Sequence, residues 1–598
     1  MPAWLSKAFA PPRGIYAAAL LGMAVALPSL FMGFFVDDYL HILTIEGKYD
    51  LASPFDLFRF AGGDPEETRH HIEEGPMPWF MWPHIELHFF RPLSSASMVL
   101  DNVLFGRNAV LYHLHSVLWY GLLVLGAGLI FRRVLSPWPA VLAAVLYALD
   151  DAHIVPGIWW SNRNALVAAA PALLGFWAHI RWREDGWKPG LPLSLAGYAL
   201  GFLGAEVALG IMPFVGAFEI IWRRDAPARR FGALLPAALL SVGYLAFYKY
   251  NGYGCYGSGI YIDPISEWRD FLGFAPNRIL MLTANQFLTL PIEGPIAVPS
   301  LEGPVVAASI VVLLVIGALL LLVWPRLSGS DRRALEFLLA GSVLSTLPAL
   351  ATFPSGRLMT IPSLASAAVL AVLLHQAWQN RQSLRLARLG VVAIVLVHVL
   401  TPALLWATVP FGLRHISQRG HEAAAAAQVD PEGIEERTLV FINPPDPFAG
   451  MYSIMLRRYD GLPRPAGWYF LSMAPYDHEV TRVDDHTLNL RVVDGEILTT
   501  IFEKLVRNKH HPLLPGEILR FRDFDVEILA VGDSGPSRMQ FRFKRSLDDP
   551  KLELLEWRNS RMQHFTPPAV GETVYLERTR GLFDWDFLFP GSNSDEEK

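Results

Sequence analysis

The chain has 598 residues, of which 52% are hydrophobic and 18% charged, and a mean hydropathy of +0.30. That composition excludes an ordinary soluble globular protein, and a net charge of −6 carries no basic excess for binding nucleic acid. Cys255 is the single cysteine, which excludes an intramolecular disulfide and a fold that depends on an oxidising compartment.

Residues 15–36 are almost wholly apolar and long enough to cross a bilayer, which takes roughly 20 residues. The tail before them carries Lys7 and Arg13 and no acid, which predicts a cytoplasmic N-terminus. The segment is too long for a signal-peptide core and ends without a small-residue cleavage site, so a retained anchor is expected. It runs into "FFVDDYLHI", which sets Asp37 and Asp38, with Tyr39 and His41, at its outer end. Carboxylates at such a boundary are costly unless solvated, paired or bound to a cation. One of them can take a proton from an incoming hydroxyl while its neighbour holds a divalent cation. A plainly solvated helix end is the alternative.

A long loop, 37–108, follows on the outer side. It is rich in acids and histidines, in "DPEETRHHIEEGP" and "WPHIELHFFRPL". His84 and His88 share a face on a helix, whereas His84, Glu86 and His88 share one on a strand; a metal site and a merely hydrated loop both fit. Arg91 can contact a phosphate in a bidentate manner or snorkel toward headgroups. Residues 93–105 have the apolar spacing of a helix lying along the membrane surface.

Further apolar windows fall near 109–131, 138–150, 164–180, 191–205, 207–222, 231–248, 304–324, 334–351, 358–375 and 390–411, giving about eleven spans. If these alternate from a cytoplasmic start, the arginines of the short links, from Arg132 and Arg133 to Arg385 and Arg388, all lie on the cytoplasmic side. The exceptions at span ends are Arg107, Arg163, Lys249 and Arg357. In "YALDDAHIVPGIWWSNRNAL", Asp150, Asp151 and His153 form a candidate metal or acceptor site, and Arg163 opens the next span. Glu206 lies between two apolar segments and needs shielding from lipid. Arg357, in "FPSGRLMTIPS", starts a span on the outer side, where an anionic partner such as a lipid phosphate or an acid would explain it.

Beyond residue 411 the chain turns polar. Residues 412–433 read as a linker, 434–590 as a β-rich extracytoplasmic domain, and 591–598 as a disordered acidic tail. Alternating segments such as "RTLVFI", "GWYFLSM", "HTLNLRVV", "ILTTIFEKLV", "FDVEILAV" and "MQFRFKR" predict a sandwich or barrel. No internal repeat is visible.

The order of these clusters resembles the GT-C superfamily of membrane glycosyltransferases, most closely the transmembrane O-mannosyltransferases with tetratricopeptide repeats and the protein O-mannosyltransferases. Asp37 and Asp38 match an acidic pair after the first span. "FRPL", "LFG" and "YHLH" follow in the family's order, then His153 with Arg163 ten residues on, the region of Glu206, and "RLMTIPS" with Arg357, Pro362 and Ser363. The likeness covers roughly residues 30–375. The chain departs from the family at Asp150, Asp151 and Val155, and it lacks the helical repeats.

The resemblance implies a GT-C-like membrane domain over 1–411, with outer loops 37–108 and 249–303. It implies inverting transfer of a sugar from a polyprenyl-phosphate-linked donor to a hydroxyl of a glycan or protein acceptor, in a bacterial inner membrane. Asp37 would be the general base, Asp38 would orient it or bind a cation, and Arg163, Arg357 and Arg91 would hold the lipid phosphate. His41, Asp150, Asp151 and His153 remain candidates for a divalent metal or the acceptor. The rival expectations are a multi-pass transporter and a membrane scaffold displaying the β-rich domain.

Overall fold

A computed structural model describes residues 9–49, 53–73, 75–382, 385–425, 432–446, 448–558, 561–579 and 581. The acidic tail expected over 591–598, and residues 426–431 of the expected linker, lie outside them.

Each apolar window is helical. The first is α1 (Gly14–Ala26), which continues as a 3-10 turn to Phe31, and the acidic pair opens α2 (Asp37–Ile45). Then come α3 (Pro92–Phe105), α4 (Ala109–Val134), α5 (Pro137–Leu149), α6 (Asn164–Asp185), α7 (Gly190–Gly204), α8 (Ile211–Ala217) and α9 (Pro227–Tyr250). After α10 (Trp268–Asn285) follow α11 (Glu302–Val323), α12 (Gly329–Thr346), α13 (Ser363–Asn380), α14 (Arg385–Val395) and α15 (Thr401–Ala425).

Among the described residues seven helices are long and apolar enough to cross a membrane, or eight if α5 and the helical turn after it, bent by 46°, form one span. The expectation of about eleven is corrected for three physical reasons. The helix α7 has only 15 residues. The window 207–222 is broken into 3-10, α and π turns. The helix α13 ends in the polar run His375–Asn380.

The helices form inner and outer classes. The best apolar windows in Ala109–Val134 and Trp160–Asp185 are each 67% buried, whereas those in Pro299–Arg326 and Arg385–Ala425 are 11% buried. An apolar helix with so little protein around it must face lipid. The inner pair α6 and α7 packs backbone to backbone: a Cβ on Gly197 would stand 2.8 Å from the Gly175 Cα, and one on Gly204 would stand 2.8 Å from the Ala168 Cα. Small residues at such a crossing supply the attraction that lipid-soluble side chains cannot.

The arginine-rich ends gather at one end of the bundle. Arg133 and Arg181 share Asp185, Arg183 holds Glu219 and Asp225, and Arg223 also reaches Asp225. The Nε1 of Trp222 donates to Glu184 at 2.7 Å, and Asp331 accepts from the Ser136 amide at 2.7 Å.

At the opposite end the two long loops meet in one small sheet, β1 (Arg59–Gly62), β2 (Glu86–His88) and β3 (Gly254–Tyr256), with β2 in the middle. His88 lies on this strand and bonds Asp56 at 2.8 Å. As expected, residues 92–105 are helical, with Leu100, Val103 and Leu104 exposed along one side.

The C-terminal region is β-rich. A six-stranded antiparallel sheet is ordered β13 (Thr573–Leu576), β6 (His478–Asp484), β7 (Thr487–Val492), β10 (Pro536–Phe543), β9 (Phe524–Val531), β8 (Ile518–Arg520). A four-stranded sheet is ordered β12 (Arg561–His564), β11 (Leu552–Arg558), β4 (Thr438–Phe441), β5 (Gly467–Phe470). Both are open and share one core. The second is mixed, since β4 pairs in parallel with β5 and β11, unlike the simple sandwich or barrel expected. Parallel neighbours need a crossover, and here it carries α16 (Ser453–Tyr459).

The segment "ILTTIFEKLV" is corrected from strand to helix α17 (Ile501–Leu505), because Thr500 and Glu503 close a reciprocal capping box. One continuous core joins this region to the first loop: Trp79 packs on Phe541 and donates to the Leu471 carbonyl at 2.8 Å, and Arg507 donates to the Phe80 carbonyl at 2.7 Å. The stretch expected as a linker begins as a continuation of α15, which runs to Ala425.

Candidate active site

The site starts from a strained turn. Val36 has φ +49° and ψ −111°, a conformation a β-branched residue adopts only when its surroundings impose it. The first two residues of α2 then point to different partners, Asp37 to Tyr452 and Asp38 to Ser161.

Asp38 is 0% exposed and fully engaged. One carboxylate oxygen accepts from the Phe35 amide at 2.9 Å; the other accepts from the Ser161 amide at 2.9 Å and from the Ser161 hydroxyl. Burial lifts its pKa to about 7, against the pull of these donors. Asp38 thus ties α2 to the segment before α6 and presents no oxygen for a cation.

Asp37 differs. It is half-buried, and one oxygen, Oδ1, accepts from the hydroxyl of Tyr452; Oδ2 has no hydrogen-bond partner among the described residues. Burial raises its pKa, while the Tyr452 hydrogen bond and the positive charge of Arg357 pull it down. Tyr261, from the second long loop, lies within electrostatic reach of Arg357, Arg91 and Asp37. Asp37 and Tyr452 are thus in contact, and Arg357 and Tyr261 lie within electrostatic reach of the carboxylate, from four separate parts of the chain.

The four basic residues that broke the charge rule divide sharply. Arg107 pairs with Glu46 at 2.5 Å, Arg163 with Asp101 at 2.5 Å, and Lys249 with Asp263. Arg357 forms no ion pair or hydrogen bond through its guanidinium among the described residues; it rests over the Phe353 ring at 5.5 Å and is half-buried.

Arg163 is corrected as a phosphate ligand: at 1% exposure, it also donates to the Ser97 hydroxyl at 3.0 Å and the Ser97 carbonyl at 3.2 Å. A guanidinium buried this deeply and neutralised by Asp101 is withheld from a lipid phosphate. Arg91 is paired with Glu206 and lies over the Phe58 and Phe89 rings at 4.9 and 4.7 Å, which gives Glu206 the shield it needs.

The remaining candidates are structural in this geometry. His41 is buried beside Phe58 and Trp160, and burial with the Arg91 charge lowers its pKa to about 3, so it is neutral. His153 has both ring nitrogens committed, Nδ1 to the Tyr147 carbonyl at 2.9 Å and Nε2 to the Ser363 hydroxyl at 3.2 Å. Asp150 caps the turn at Ala152, and Asp151 accepts from Thr289 at 2.9 Å. Among the described residues no group of three or more His, Cys, Asp or Glu side chains is arranged to hold a metal ion. His153 instead supports the "RLMTIPS" segment that carries Arg357, together with Tyr147, whose hydroxyl donates to the Thr360 carbonyl at 2.5 Å.

The fold is that of a polytopic helical membrane protein with a C-terminal β-rich region. Two solved structures of the oligosaccharyltransferase from Archaeoglobus fulgidus are similar to it. One is the archaeal oligosaccharyltransferase AglB in complex with an inhibitory peptide and a dolichol-phosphate, with 12% identity over 77% of this chain and a TM-score of 0.41. The other, in the apo form, has 13% identity over 76% of this chain and a TM-score of 0.41. The chain spans 65% of the length of each of those chains. No protein-family model and no curated protein matches it.

Proposed function

We propose that the chain is an integral membrane glycosyltransferase of GT-C type, transferring a sugar from a polyprenyl-phosphate-linked donor to an acceptor hydroxyl at the end of the bundle away from the arginine network. Asp37 is the general base. Its free oxygen accepts the acceptor proton as that hydroxyl oxygen attacks the anomeric carbon; the bond from that carbon to the phosphate oxygen breaks, and the configuration inverts. Arg357 faces the charge that builds on the departing phosphate and needs no reorganisation to do so. A carboxylate with a raised pKa is the stronger base, provided it stays ionised at the working pH.

One observation carries the reading: a carboxylate with an open oxygen lies within electrostatic reach of an arginine that has no ion-paired acid among the described residues. The motif order around Asp37 and Arg357 supports the same chemistry. The side on which it occurs, the inner-membrane location, the sugar and the choice between glycan and protein acceptor belong to this proposal too.

The test is transfer from polyprenyl phosphomannose to serine- and threonine-containing peptides and to free glycans, by wild type and Asp37→Asn. Transfer by wild type that falls at least about a thousandfold in the variant is expected, since base removal and loss of orientation act together. Equal transfer by the variant overturns the base assignment. Solute flux without transfer establishes the transporter instead.

A further inference from the structure

The C-terminal region reaches into the site at one point. Tyr452 closes a single π-helical turn, Phe448–Tyr452, which leads into α16; turns of this kind are frequent at functional sites. Its ring stacks on Phe448 at 5.7 Å, and Phe448 stacks in turn on Phe35 at 6.5 Å, next to the strained turn that carries Asp37. The turn is held from both sides. The Trp468 Nε1 donates to the Gly450 carbonyl at 3.2 Å, and α15 approaches Phe448 so closely that a Cβ on Gly420 would fall 1.9 Å from its ring. The position of the Tyr452 hydroxyl is therefore set by packing and not by the carboxylate it meets.

A second tie keeps α2 in register with this assembly. The Tyr39 hydroxyl contacts the Ser417 hydroxyl at 2.7 Å and the His421 Nε2 at 2.9 Å, and the other nitrogen of His421 meets Asp460 at 3.0 Å.

We propose that Tyr452 is a positioning residue for Asp37: its hydroxyl anchors one carboxylate oxygen, so that the other is turned toward the acceptor, and the C-terminal region is thereby part of the site. Phenylalanine at 452 would fill the same space and keep the stack on Phe448, so packing alone gives no reason for the hydroxyl. The inference rests on the reading of Asp37 as the base.

Removing the hydrogen bond takes away a donor that stabilises the ionised carboxylate, so the Asp37 pKa must rise. The test compares wild type, Tyr452→Phe and Asp37→Asn as full-length purified protein. Carbodiimide labelling of Asp37, which requires the protonated acid, is mapped by mass spectrometry against pH and needs no turnover. In Tyr452→Phe the labelling midpoint is expected to move up by about one pH unit.

With polyprenyl phosphomannose, the acid limb of the rate profile moves up by the same amount. Transfer falls about tenfold below that limb and recovers above it, with the acceptor KM unchanged. A labelling midpoint and a rate profile that both stay in place overturn the positioning role. If Asp37→Asn transfers like wild type, the base reading fails, whatever Tyr452→Phe does to the labelling.

Discussion

The two ends of the helical bundle treat charge in opposite ways. At the arginine-rich end every side chain of the network has an answer: Arg133 and Arg181 on Asp185, Arg183 on Glu219 and Asp225, His179 on Glu219 at 2.9 Å. At the other end, among the described residues, Arg357 has no ion-paired acid and Asp37 has a single phenol. Ion pairs that satisfy one another hold helices in register and have nothing left to offer a ligand. A cation and an anion held near each other without pairing keep their field for a third party, which is what a transferred phosphate requires. The contrast recurs within one end of the molecule, between Arg163 and Arg357, so it reflects local construction and not simply depth in the membrane.

Substituting these two arginines is the sharpest way to break that contrast. Arg163→Ala takes from Asp101, at 0% exposure, its guanidinium partner and leaves it only the His115 ring and the Trp160 indole, and removing one partner of a buried pair costs about 3–5 kcal/mol. The expected result is loss of folded protein in a detergent-stability assay, with normal specific activity in whatever survives. Arg357→Ala should behave inversely: an unchanged melting curve, and transfer reduced by about 10²–10³-fold, the range found when one preorganised charge stabiliser is removed. If Arg357→Ala unfolds the protein while Arg163→Ala only slows it, the roles assigned here are exchanged.

How much of this was legible in the sequence follows from the same contrast. The apolar windows announced the long apolar helices, because a bilayer leaves one solution for an apolar run of that length, but not α2, α10 or α16, which lie outside them. The charge rule separated Arg357 from the linking arginines before any contact was known. It could not separate Arg357 from Arg163, since the acid that neutralises Arg163 lies 62 positions earlier, on α3, and helix pairing leaves no trace in local pattern. Tyr452 was missed outright: "FAGMYSIM" carries no polar cluster, and its place at the site depends on how a π turn of the C-terminal region packs on Phe35. The helix at Ile501–Leu505 was readable, because Thr500 and Glu503 have capping-box spacing, but the β-branched residues around it argued for strand.

The neighbouring carboxylates extend the comparison to pH. Asp38 is raised to about 7 by burial from an ordinary value of 3.8, so the folded chain holds that proton more tightly than the unfolded one. The resulting stabilisation is fully present below about pH 4 and is lost as the pH rises toward 7. Melting temperatures measured from pH 4 to 8 should fall over that window and then level off, and Asp38→Asn should flatten the slope. A wild-type profile already flat between pH 4 and 7 would contradict the burial argument for Asp38.

The smallest effect is also the most discriminating, because stability and activity should move apart. Val36 keeps its positive φ only because the Asp38 cap and the packing of Phe35 enforce it, and strain of this kind costs of order 1–3 kcal/mol. Glycine accepts the conformation freely, although its flexible unfolded state takes back about 0.5–1 kcal/mol. Val36→Gly should therefore raise stability by about 1 kcal/mol in thermal unfolding, while transfer falls a few-fold because the Asp37 carboxylate is held less firmly against Tyr452. The arginine-rich end has no counterpart, since its linking residues sit in ordinary backbone conformations and no positive-φ residue other than glycine occurs there among the described residues. A variant that is less stable, or more stable and equally fast, would mean that the turn does not orient the base. Strain would then be incidental at the turn that leads into the candidate site.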